Sequence, residues 1–202
     1  MIAMQSVVRW VEVHRLAVAG REAGTAREVG GRVGRVWLAR SRFADVARLA
    51  ELTLTLGEDA GAFYDLGWAK DATGDRAAAL AAYDQALRLY RAAGHRGNEA
   101  ATLNNIGEAY RGLGEPQRAL EYFGQALPIR REVGDRAGEA VTRYNMAVIH
   151  RAQGELDRAV AELEQVVELH RQVGHPDLQS ATEMLHLVRQ ELASSDPGSG
   201  SR

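Results

Sequence analysis

Apolar residues in this chain recur at intervals of three and four, and no segment alternates apolar with polar at every second residue. Around residues 103–127 the stripe Leu103, Ile106, Ala109 and Tyr110 is followed by a second stripe, Ala119, Leu120, Phe123, Ala126 and Leu127. Between them, Gly112-Leu113-Gly114-Glu115-Pro116 carries a helix stop and a helix start, with glycine just past the end and proline in the first turn. Gly134-Asp135 closes the second helix in the same manner. The pattern predicts two antiparallel helices here, and helix throughout 27–193. The expected fold class is all-α.

The pair is repeated. Residues 63–100, 103–140 and 143–180 are near-copies 40 residues apart. Gly74, Gly114 and Gly154 fall in register, as do Gly94, Gly134 and Gly174, and Ala79, Ala119 and Ala159. A fixed period of this size marks stacked units, each too small to bury its own apolar face. A degenerate copy precedes them, with Val33-Gly34, Trp37, Val46, Ala50 and Thr53 at the same spacings and Ser41-Arg42-Phe43 at its turn. Residues 6–24 read as a further amphipathic helix that matches no repeat position. Residues 177–193 read as one helix capped by Asp177, covering the last apolar face. The chain therefore divides into a flanking helix within 1–26, four helix pairs over 27–176, a capping helix over 177–193 and a disordered Ser/Gly/Pro tail over 194–202.

The motif residues resemble the tetratricopeptide repeat. That family has a large residue early in helix A, then Leu-Gly, an aromatic three residues on, a small residue opening helix B, an aromatic four beyond it and Ala three beyond that. The second copy matches as Leu103, Ile106-Gly107, Tyr110, Ala119, Phe123 and Ala126. The first departs at Lys70, and the third, with Arg143 and His150, departs most. The period of 40 exceeds the usual value of about 34. It is similar to the long-helix subclass found in kinesin light chains and in bacterial signalling proteins.

The resemblance implies a right-handed α-solenoid of antiparallel helix pairs (the tetratricopeptide superhelix), in which helix A lines a concave groove. Carried over, the groove positions are Tyr64, Asp65, Trp68 and Asp71, then Asn104, Asn105, Glu108 and Arg111, then Tyr144, Asn145, Val148 and Arg151. Asn105 and Asn145 recur at one position, and Arg111 and Arg151 at another. Amides can hold both polar groups of an extended backbone, and arginines can pair with carboxylates. The alternative is that the asparagines fasten neighbouring helices and that Arg111 pairs with Glu108 one turn away.

The implied role is a protein-interaction module that binds a peptide or partner segment, as a scaffold or sensor arm of a bacterial signalling system. A peptide-responsive regulator and a self-assembling homodimeric scaffold are the rival readings.

Composition narrows the chemistry. The chain has no cysteine, which removes disulfides and sulfur-ligated zinc and fits a reducing, cytoplasmic setting. The net charge of −2 argues against a dedicated nucleic-acid partner, although residues 1–50 carry nine arginines against four acids. No apolar run reaches the ~20 residues of a membrane helix. The six histidines form no pair at helical metal-ligand spacing, and the Gly30-Gly31-Arg32-Val33-Gly34 run lacks the strand and lysine of a phosphate loop. No catalytic, cofactor-binding or metal-binding residue is expected. Pro128, in the second half of a B helix, is expected to bend it.

Overall fold

The computed structural model describes residues 2–195, with side chains from residue 7 onward. Among the described residues there are ten α-helices and no strand. They are α1 (Ile2–Ala19), α2 (Ala23–Leu38), α3 (Phe43–Leu54), α4 (Ala60–Ala72), α5 (Arg76–Ala92), α6 (Arg96–Gly112), α7 (Pro116–Glu132), α8 (Arg136–Ala152), α9 (Leu156–Val173) and α10 (Leu178–Ser195). The chain divides into two compact units, Met1–Ala109 and Tyr110–Arg202. In the first, α1 packs on α2, α2 on α3 and α4, α3 on α4, and α4 on α5. In the second, α7 packs on α8, α8 on α9, and α9 on α10. The all-α repeat architecture read from the periodicity is thus the observed one.

The repeat-equivalent small residues do what their size allows. Ala79, Ala119 and Ala159 are fully buried, and so are Tyr83, Phe123 and Leu163 one turn later. Burying each of the larger three contributes about 1.5–3 kcal/mol, which outweighs any local propensity. The left-handed turns fall on Gly74, Gly94, Gly114, Gly134, Gly154 and Gly174, one every 20 residues. Asp59, Asp75 and Asp135 cap α4, α5 and α8 by accepting from the backbone N–H three residues on.

The N-terminal region differs from the expected division. One helix was expected over 6–24, but α1 ends at Ala19 and α2 already begins at Ala23. The turn between them has a left-handed Arg21, and Ser41 is left-handed in the next turn. At the first turn Arg21 N donates to Val18 O, Glu22 N to Ala17 O, and Ala23 N to Arg21 O. At Gly94 the same three bonds run from Gly94 N to Arg91 O, His95 N to Tyr90 O, and Arg96 N to Gly94 O. So α1 stands to α2 as α5 stands to α6. It occupies the place of a B helix of the repeat, hidden in the sequence because a non-glycine residue makes the turn.

At the other end, Pro176 stands where Arg96 and Arg136 donate to the turn glycine. Proline has no N–H for that bond, and α10 begins four residues after its turn glycine, where α6 and α8 begin two after theirs. Ser194 and Ser195 belong to α10, whereas 196–202 of the expected tail lies outside the described residues. Pro128 lies inside α7 on its exposed side.

Candidate functional site

In the N-terminal unit, α4 presents Tyr64 and Trp68, one turn apart, with their rings edge to face at 6.3 Å. Trp68 is 42% exposed. The Tyr64 hydroxyl accepts from Asn105 Nδ2 at 3.0 Å, so Asn105 fastens α6 to α4. Asp71 lies 3.7 Å from Arg76. Asn104 is buried. It was expected to line an open surface, but the turn of α6 that carries Leu103 and Ile106 carries it inward too. Glu108 is half-buried.

Asp65 points across to α2, close against Gly34, where a Cβ would stand 2.7 Å from Asp65 Oδ2. Burial pushes its carboxyl up to about 7, against the pull of Arg35 and with a push from Asp59. Beside it, α2, α3 and α4 leave a space of only about 50 Å³. His14 is buried on α1, bonded through Nε2 to Thr53 Oγ1 at 2.8 Å.

In the C-terminal unit, α8 presents Tyr144 and Val148, each 36% exposed. They share a cavity of about 340 Å³ with Ala147, Arg151 and Ala152 of α8, Leu163 of α9, and Met184, Val188 and Glu191 of α10. Arg151 donates to Glu191 through both arms of its fork, Nε to Oε2 at 2.9 Å and Nη2 to Oε1 at 2.5 Å. The Arg151 guanidinium in turn holds the Glu191 carboxyl below its ordinary range. A second cavity, of about 410 Å³, is lined by Ala140, Val141 and Tyr144 of α8 and by His170, His175, Asp177, Ser180 and Ala181. There the rings of His170 and His175 stack at 4.3 Å. Burial and the neighbouring imidazole push His170 down.

Among the expected groove residues, Tyr144, Val148 and Arg151 come together at one cavity. Asn145 is half-buried, and Arg111 is exposed in the same unit. Arg151 is held by a carboxylate of α10. Its carboxylate partner is 40 residues further on, one repeat period away. Glu191, Met184 and Val188 were missed in the sequence because 177–193 was read only as a cap. Applying the 40-residue period beyond the third copy would have placed Glu191 opposite Arg151.

His150 is buried and bonded through Nδ1 to Glu155 at 2.7 Å. Arg143, at the position held by Leu103 in the preceding copy, is buried between Glu139 and Glu162. No group of three His, Asp or Glu among the described residues could hold a metal ion. No helix among them is long and apolar enough to cross a membrane.

Profiles of the tetratricopeptide repeat match residues 60–92 and 98–172, together more than half of the chain. The chain belongs to the tetratricopeptide repeat family. Among solved structures, BtubC (BKLC) from P. vanneervenii is similar over 98% of this chain and 94% of its own, at 17% identity and a TM-score of 0.68. The apo form of RapI is similar over 83% of this chain and 64% of its own, at 16% identity and a TM-score of 0.73. A putative kinesin light chain from Podosopora anserina, with nearly identical TPR-like repeats, matches 85% of this chain and 97% of its own, at 18% identity and a TM-score of 0.62. At such identities the likeness is one of fold. No curated protein matches this sequence. Tetratricopeptide repeats are interaction modules, and neither matching profile describes a catalytic domain.

Proposed function

We propose that this tetratricopeptide repeat protein binds an extended segment of a partner protein along the exposed faces of its A helices. The observation that carries the reading is positional. Tyr64 and Trp68 on α4 recur 80 residues later as Tyr144 and Val148 on α8, and all but the half-buried Tyr64 are exposed. Large side chains held on rigid helices at a repeated position suit a chain that offers anchors at intervals, since aromatic residues supply much contact area at low entropic cost. Asn105 serves this surface indirectly by holding Tyr64. Asn104 is not part of it. A scaffold or sensor arm of a bacterial signalling system is the setting we assign. The absence of cysteine fits a cytoplasmic one.

Panning the purified protein against a random-peptide library tests this. Selected peptides should lose at least tenfold in affinity on a variant carrying Trp68→Ser and Val148→Ser, about 1.4 kcal/mol or more. Both substitutions are at exposed positions, so the melting temperature should hold. Equal binding to the variant, or amide protection confined to the B helices α5, α7 and α9, would overturn the reading.

A further inference from the structure

The cavity between α8 and α10 has apolar walls made by Tyr144, Val148, Leu163, Met184 and Val188. The charged groups among its lining residues are Arg151 and Glu191, joined in the two-pronged geometry of a guanidinium with a carboxylate. The pair is about one-third exposed on each side. An ion pair so exposed contributes little, because water solvates the separated charges nearly as well. At about 30 Å³ per atom, the cavity has room for about ten non-hydrogen atoms, and its volume of about 340 Å³ falls at the lower end of the range for small-ligand sites.

These facts combine in one direction. Arg151 is oriented toward a carboxylate beside an apolar chamber, and the carboxylate it holds is tethered to a neighbouring helix. A ligand with its own carboxylate could make the same two bonds and release Glu191 to water. The exchange leaves the ion-pair count unchanged, while the ligand's apolar part gains by leaving water. We propose that this cavity binds a small apolar carboxylate, which takes the place of Glu191 on Arg151. Glu191 is then an internal competitor. Because it is carried by α10, occupancy of the cavity also frees the last turns of α10 from α8, while Ala181, Leu185 and Val188 keep the rest of that helix in the core. The proposal goes beyond the partner-segment reading and does not depend on it. Its ligand is a small acid, and the site lies wholly in the C-terminal unit.

Octanoate, with ten non-hydrogen atoms, is the probe, and octanol is its uncharged counterpart. Calorimetric titration of the full chain at pH 7.5 is expected to show one octanoate per chain, bound at least tenfold more tightly than octanol. Glu191→Gln should tighten octanoate binding threefold or more and leave octanol unchanged. Glu183→Gln makes the same charge change elsewhere on α10 and should alter neither. Arg151→Met should bring octanoate down to the level of octanol. Val148→Phe, which sets a ring in the chamber, should abolish binding of both, and its melting curve shows whether it folds.

A leucine-terminated hexapeptide, as free acid and as amide, separates the two sources of such a group. If the acid binds more tightly than octanoate and the amide does not, the natural ligand is a chain terminus. If octanoate binds more tightly, it is a free amphiphile. Equal affinity for octanoate and octanol in the wild type overturns the proposal. So does octanoate binding that Glu191→Gln weakens or leaves unchanged, and so does a failure of both acids to bind.

Discussion

The neighbourhoods of α4 and α8 start from the same repeat position and end differently. In the N-terminal unit that position is glycine. Gly34 lies against Asp65, and a Cβ on Gly67 would stand 2.6 Å from two ring atoms of Tyr83. The helices close tightly, and the space left beside α4 is about 50 Å³. In the C-terminal unit the same position is Ala147, and two cavities of about 340 and 410 Å³ lie where α8 faces α10. Repeat register decides which helices pair. Side-chain size at one position, and where the next helix begins, go with whether the pair closes or leaves room.

The sharpest way to break this contrast is to add bulk on each side of it. Gly67→Ala should cost about 1–3 kcal/mol by overpacking, because the ring it strikes is fully buried. Alanine is the better helix former by about 1 kcal/mol, so a gain in stability would mean that the ring yields. Val148→Phe adds far more volume, yet its ring enters a cavity of about 340 Å³ that has room for it, and it should change stability by less than about 0.5 kcal/mol. Urea unfolding of both variants decides the matter. Equal losses would abolish the distinction between the two regions.

Asp65 offers a smaller test of how closely α2 and α4 meet. Its carboxyl titrates at about 7 when folded and at 3.8 when free. The protonated acid is therefore favoured by folding. The stability it contributes is fully present below about pH 4 and is lost as the pH rises through about 7. Between pH 5 and pH 8 the wild type should lose stability relative to Asp65→Asn, which cannot ionise. A constant difference across that range would show that Asp65 is solvated and the contact with Gly34 looser than described.

The smallest effect belongs to the turn between α2 and α3. Ser41 has φ 55°, a conformation that penalises any residue with a Cβ. Ser41→Gly should raise stability by up to about 1 kcal/mol, since the relief of strain exceeds the extra chain entropy of glycine. A loss on thermal unfolding would mean that the serine side chain holds the turn in a way its geometry does not reveal.

Much of this architecture is legible in the sequence. Glycine at 74, 94, 114, 134, 154 and 174 announced the turns, because a left-handed residue there is cheapest without a Cβ. Apolar spacing announced the paired helices for the same local reason. Legibility failed where an ordinary residue took a glycine's place. Arg21 makes the same turn at a cost in strain, so α1 did not read as part of the repeat. It failed again at Asn104, since inward and outward neighbours on one helical turn differ by a rotation that a pattern of polar residues does not resolve.

Local pattern, then, was enough for helix, turn, period and family, because each depends on residues within a few positions of one another. The chamber between α8 and α10 depends on residues 40 apart and on a helix that starts late beside Pro176. Whether Arg151 faces water or a carboxylate was decided by packing alone. The partner that answers it, Glu191, is brought within 2.9 Å only when α10 docks.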